Sequence, residues 1–191
     1  MFRWKNNQDA LEKEKATAYA TRRDFQEIFT EDMSGLHLLA FLLTADPDKA
    51  EQCFVAGLES SIDGNPVFRQ WARSWSKRAI IKNAIKIVAP TPGQPGPLPQ
   101  ADCAWTWIDD PQRNSMIMAV TRLAEFERFV LVTTVLENYS VEECSVLLGR
   151  SIDEVTTAKS RALTSLGSQS AAPEPKRSAV WAALLAPTEL A

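Results

Sequence analysis

Two capping boxes in close succession constrain this chain more than any other feature. Ser140 is followed three residues later by Glu143, and Ser151 by Glu154. In each box the serine oxygen can accept from the amide of the third helical residue while the glutamate reaches back to the cap amide. Gly149 lies between them and can adopt the positive φ that ends a helix. Val141, Cys144, Leu147 and Leu148, then Ile152, Val155, Ala158, Ala162 and Leu163, recur at three- and four-residue intervals. The stretch Ser140 to Leu166 is therefore expected to be a short helix, a tight turn and a longer helix.

An αα-hairpin of a helical domain would satisfy the same pattern. The outer face of the second helix points further. Thr156, Thr157, Lys159, Ser160 and Arg161 are small polar or basic residues that can enter a major groove and reach phosphates or base edges. This is the arrangement of a DNA-binding helix-turn-helix.

With 191 residues, 45% of them hydrophobic, the chain can bury a core in one or two domains. It has no long apolar run to span a membrane, and its first residues lack a signal-peptide core, so a cytoplasmic protein is expected. Cys53, Cys103 and Cys144 are widely spaced and His37 is the single histidine, so no metal or disulfide pattern emerges. No nucleophile–base set, carboxylate pair or phosphate-cradling glycine loop is legible, and neither enzymatic activity nor a cofactor is expected. The net charge of −3 conceals a local contrast: Val67 to Ala89 carries six basic residues and no acidic one.

Residues 1–22 read as a polar arm. Phe25, Ile28, Phe29 and Met33 open an amphipathic pattern, and Leu36, Leu38, Leu39, Phe41, Leu42 and Leu43 form a helix apolar on most sides. Asp46-Pro47 caps the next helix, whose inner face is Ala50, Cys53, Phe54 and Leu58. In the basic segment, Phe68, Trp71, Trp75 and Ala79 follow helical spacing. Arg69, Arg73 and Lys77 make one i, i+4 row, and Arg78, Lys82 and Lys86 another. Cations beside aromatics suit a helix that tracks phosphates and stacks on exposed bases, although such tryptophans also commonly fill a core. Pro90 to Pro99 is a proline-rich linker. Met116 to Ala124 and the very apolar Phe126 to Leu136 begin a second helical part, and a short amphipathic helix is expected over Ser178 to Leu185. The expected class is all-α: helical domains over 23–89 and 112–167, a linker over 90–111 and a tail over 168–191.

This order of parts resembles a bacterial RNA polymerase sigma factor of the extracytoplasmic-function type. The sharper likeness is Leu123-Ala-Glu-Phe-Glu-Arg-Phe-Val, then Tyr139-Ser-Val-Glu-Glu-Cys-Ser-Val-Leu-Leu-Gly-Arg-Ser, then Glu154-Val with Arg161-Ala-Leu. Trp71-Ala-Arg-Ser-Trp-Ser-Lys-Arg-Ala-Ile and Asn83-Ala are similar to the helix that reads and melts the minus-ten promoter element. Leu39-Ala-Phe-Leu-Leu-Thr-Ala-Asp, with Ala50-Glu51, is similar to the helix pair that grips the polymerase clamp.

The resemblance implies that Arg69, Trp71, Arg73, Trp75, Lys77, Arg78, Lys82, Asn83 and Lys86 face opening promoter DNA. It implies that Arg150, Ser151, Thr156, Thr157, Lys159, Ser160 and Arg161 face the minus-thirty-five element. Asp46, Asp48, Glu51 and Gln52 would touch core RNA polymerase. The partners it implies are the polymerase, promoter DNA and an anti-sigma factor, with a monomer when free. The acidic second half and the apolar run Cys53-Phe-Val-Ala motivate a different expectation, a sigma-like decoy that binds a regulator or polymerase without promoter activity. A helix-turn-helix regulator with an unrelated N-terminal part is a third, and predicts a dimer on a palindrome.

Overall fold

The computed structural model describes residues 18–93 and 110–169. Those residues form helices α1 (Arg22–Glu31), α2 (Met33–Thr44), α3 (Pro47–Ile62), α4 (Ala72–Val88), α5 (Pro111–Thr121), α6 (Glu125–Leu131), α7 (Val141–Leu148) and α8 (Ile152–Gln169). A 3-10 turn, Arg69–Trp71, leads into α4, and a π-helical segment, Val132–Leu136, continues α6. The fold is all-helical among the described residues, with one isolated bridge between Tyr19 and Phe68. None of the described helices is long and apolar enough to cross a membrane.

Local chemistry sets most boundaries. Thr21 caps α1 in a full capping box with Asp24. The Asp46 carboxylate accepts from the Lys49 amide, with Pro47 in the first turn of α3. Asp110 caps α5 by accepting from Gln112, again followed by proline. The amphipathic pattern expected to run through Met33 breaks at Asp32, which ends α1 and precedes α2, and Met33 is exposed.

The central element is α2. Leu36, Leu38, Leu39, Ala40, Phe41, Leu42, Leu43 and Thr44 are all buried, on nearly every side of the helix. A helix apolar all round must be covered all round. Helices α3 and α4 cover part of it, and Gly57 of α3 permits their close approach: a Cβ there would lie 2.5 Å from Ile80 Cδ1. Helices α5 and α6 and the π segment also pack on α2.

One hydrophobic core therefore joins Phe29, Leu36, Phe41, Cys53 and Ile80 to Ile117, Val120, Leu123, Phe129, Leu131 and Leu136. This differs from the two separate cores expected on either side of the proline-rich stretch, and the reason is the flank of α2 that α3 and α4 leave to α5, α6 and the π segment to cover. A smaller cluster, Phe126, Val130, Cys144, Val155 and Ala158, belongs to the C-terminal half. Residues 94–109, most of the expected linker with Cys103, and the expected helix in the tail lie outside the described residues.

Arg128 sits at the junction, fully buried. Its Nε donates to Leu43 O at 3.1 Å and Nη2 to Thr44 O at 3.4 Å, at the C-terminal end of α2. Its Nη1 donates to Thr121 O at 3.2 Å and Leu123 O at 3.1 Å, at the end of α5. Helix C-termini leave carbonyls without intrahelical partners and carry partial negative charge, so two of them together solvate a buried cation. Burial lowers the Arg128 pKa to about 10, opposed by Glu125, and the group stays charged at neutral pH.

Candidate nucleic-acid interface

The basic segment folds into a helix, and its inner face is made mostly of small and aliphatic residues. The buried residues of α4 are Ala72, Ser76, Ala79, Ile80, Ile81, Asn83 and Ala84. Phe68 and Trp71 are exposed, Trp71 by 56%, and Trp75 is half-buried. Tyr19 stacks on Phe68 at 4.7 Å between ring centres, and Phe68 meets Trp71 edge to face at 5.3 Å. The Ala20 amide donates to Val67 O at 2.7 Å, which ties the chain before α1 to this aromatic group. Lys82 Nζ lies 5.9 Å from the centre of the Trp75 ring, within cation–π range. Lys86 is exposed on the same row.

Asn83 leaves the expected surface set. It is 7% exposed, and its side-chain nitrogen lies within hydrogen-bonding distance of Ala79 O, Ala56 O and Ser60 Oγ. A buried amide so placed holds α4 to α3 and is turned away from any external ligand.

The first cationic row is not open either. Arg69 pairs with Asp24 at 2.9 Å, and Arg73 with Glu31 at 3.1 Å and Asp32 at 3.4 Å. Lys77 reaches across the halves to Glu137 at 3.1 Å, whose side chain is only 9% exposed. These acids lie 41 to 60 residues away in sequence. The absence of acids within Val67 to Ala89 therefore did not mean an unpaired face. Arg78 lies beside Tyr139; burial raises the tyrosine pKa and the guanidinium opposes that shift.

The C-terminal pair forms with its expected punctuation. Ser140 and Glu143 make both bonds of their box, at 3.1 and 2.8 Å. Gly149 takes φ 63° at the end of α7. Ser151 and Glu154 make both bonds of theirs, at 3.3 and 2.9 Å. Hydrogen bonds from Ser151 hold the Glu154 carboxyl below its ordinary range. Val155, Ala158 and Ala162 face inward, whereas Ile152 and Leu163 are exposed although both belong to the apolar pattern. Thr156, Thr157, Ser160 and Arg161 are exposed. Arg150 and Lys159 are half-buried; burial raises the pKa of the Cys144 thiol, opposed by the Thr133 hydroxyl 3.2 Å away in the π segment and by the charge of Lys159. An open cavity of about 570 Å³ borders Thr157 and Arg161, and its rim also carries Glu127, Asp153, Glu154 and the linker residue Gly93. The outer face of α8 is thus polar and mixed in sign.

Of the residues expected to touch polymerase, Asp48, Glu51 and Gln52 are exposed along α3, around a shallow depression with Val55 and Glu59. Asp46 is half-buried and its carboxylate is engaged in capping. His37 is half-buried against Phe54, and burial lowers its pKa against the opposing charge of Glu51. Burial pushes the Cys53 thiol up to about 12, and its Sγ donates to Ile80 O at 3.2 Å, a structural role. No group of metal-binding side chains occurs among the described residues. The chain matches no family model, no curated protein and no solved structure.

Two features escaped the sequence: the Arg128 junction and the acids that face the first row of α4. Arg128 stands in an apolar run, Phe126 to Leu136, and a lone arginine in such a run is the signal that could have revealed it.

Proposed function

We propose that this chain is a sigma-factor-like transcription initiation protein, which binds core RNA polymerase and recognises and opens promoter DNA. The observation that carries the reading is an aromatic and cationic surface along α4 and the turn before it. Phe68 and Trp71 are exposed at that turn, Lys82 lies over the half-buried Trp75 further along, and Lys86 is exposed in the last turn. Aromatic faces capture unstacked bases without regard to sequence, and cations follow the strand that carries them. The capped α7–α8 pair supports the reading from the other side, since Thr156, Thr157, Ser160 and Arg161 form a polar outer face for a major groove. Asp48, Glu51 and Gln52 are the residues assigned to polymerase. The polymerase performs the chemistry, and this chain supplies positioning alone.

Core polymerase pull-down followed by run-off transcription tests the proposal. Retention by polymerase together with promoter-dependent transcripts is the expected result, and an asymmetric start site read by a monomer is expected with it. Replacing Arg73, Lys77 and Lys82 together by Ala should leave the helical fold intact and abolish promoter opening. Unchanged opening would remove α4 from the mechanism.

One observation favours a second reading, a decoy that binds polymerase or a regulator without starting transcription. The first row of α4 is neutralised by carboxylates, and the rim beside Arg161 is acidic. Retention on polymerase without promoter-dependent transcripts would select that reading.

A further inference from the structure

The row Arg69, Arg73 and Lys77 runs from the 3-10 turn onto one side of α4, and each rung meets carboxylates from elsewhere in the fold. Asp24 comes from the first turn of α1, Glu31 and Asp32 from its end, and Glu137 from the turn after the π segment. The π segment helps aim Glu137: its amide donates to Val132 O, five residues back, and the Tyr139 amide to Thr133 O. Arg73 faces two carboxylates at once, which occupy donors that a phosphate would take. The second row is different: Arg78 is taken up beside Tyr139, but Lys82 and Lys86 are exposed and no carboxylate pairs with them among the described ion pairs. One helix thus carries a row closed by internal acids beside a row left open.

We propose that Glu31, Asp32 and Glu137 are an internal competitor for nucleic-acid phosphate, holding the Arg73–Lys77 side of α4 closed until a strand displaces them. The inference rests on the nucleic-acid reading of α4 given above and adds its regulation. The Arg73–Glu31 pair is exposed and contributes little to stability, so a polyanion can exchange with it at small cost. Lys77–Glu137 is more enclosed, so the strand must itself supply the charge that Lys77 loses. Glu137 has a second consequence. It belongs to the C-terminal half, so a strand that takes Lys77 also removes an ion pair between the halves.

The test is fluorescence anisotropy of the full chain with a short labelled single-stranded oligonucleotide, titrated over a range of salt. The isosteric triple variant E31Q/D32N/E137Q should bind about tenfold more tightly at low salt. Its log-affinity against log-salt slope should steepen by about 1.4, two phosphate contacts at roughly 0.7 each. A variant of matched charge, E27Q/E59Q/E142Q, removes three exposed carboxylates that do not face the row, and should gain less than about a third of that. Circular dichroism should show both variants folded. An equal gain in the matched variant, or no gain in the triple, overturns the inference while binding that is lost in R73A/K77A/K82A preserves the nucleic-acid reading. If wild type, E31Q/D32N/E137Q and R73A/K77A/K82A all bind alike or not at all, that reading fails and the inference with it.

Discussion

The junction around Arg128 and the turn between α7 and α8 are held by opposite kinds of contact. At the turn, every stabilising group lies within a few residues of its partner: Ser140 with Glu143, Ser151 with Glu154, and Gly149 in the left-handed region. At the junction, one guanidinium joins carbonyls up to 85 residues away, and the apolar surface around it comes from both halves. The turn is a set of small, independent terms. The junction is a single buried polar network, in which losing one member leaves several groups without partners.

That difference sets the expected order of effects, and each measurement can break it. Arg128→Ala should be the most damaging change, costing about 3 kcal/mol or more in chemical denaturation, since it strands four carbonyls and opens a cavity. Arg128→Lys should recover part of that loss, because the ammonium keeps the charge but not the fork. Gly149→Val should cost about 1–3 kcal/mol from backbone strain alone. A Cβ at that position meets no atom within 4 Å, so no packing is lost with it. Should Gly149→Val prove worse than Arg128→Ala, the contrast between local and long-range stabilisation collapses. Ser140→Ala should cost about 1 kcal/mol, read as a lowered denaturation midpoint at unchanged slope.

The smallest effect is one of pH. Hydrogen bonds from Thr21, with Arg69 adding to them, hold the Asp24 carboxyl below its ordinary value. The unfolded chain therefore takes up the proton first as pH falls. The stabilisation is present above the ordinary carboxylate value and is lost as pH drops through the folded value. The melting temperature of wild type should exceed that of Asp24→Asn near neutrality, and the gap should close in acid. A gap that persists at low pH would mean that the carboxylate charge contributes nothing to capping α1.

The same contrast explains what was legible. Both capping boxes, the Asp46-Pro47 start of α3 and the left-handed glycine were readable because their partners are neighbours in the chain. On α4 the helix and its cations were readable, but their state was not. Asn83 turns inward because α4 packs on α3 through Ile80 and Asn83 itself, a contact that spacing among the aromatics did not reveal. A sequence window without acids cannot report acids delivered by α1 and by the turn after the π segment.

By itself, then, the sequence determined the all-helical class, both capping boxes of the C-terminal pair, the Asp46-Pro47 start of α3 and the turn before α8, because hydrogen bonds over three or four residues need no information from elsewhere. The caps at Thr21 and Asp110 fell within the stretches expected to be an arm and a linker. Only the tertiary structure decided that α2 is shared by both halves, that Arg128 is buried at two helix ends, and that one cationic row of α4 is closed while the other is open. Those outcomes depend on which surfaces meet. That is fixed by covering the apolar circumference of α2, and no single stretch of the chain contains it.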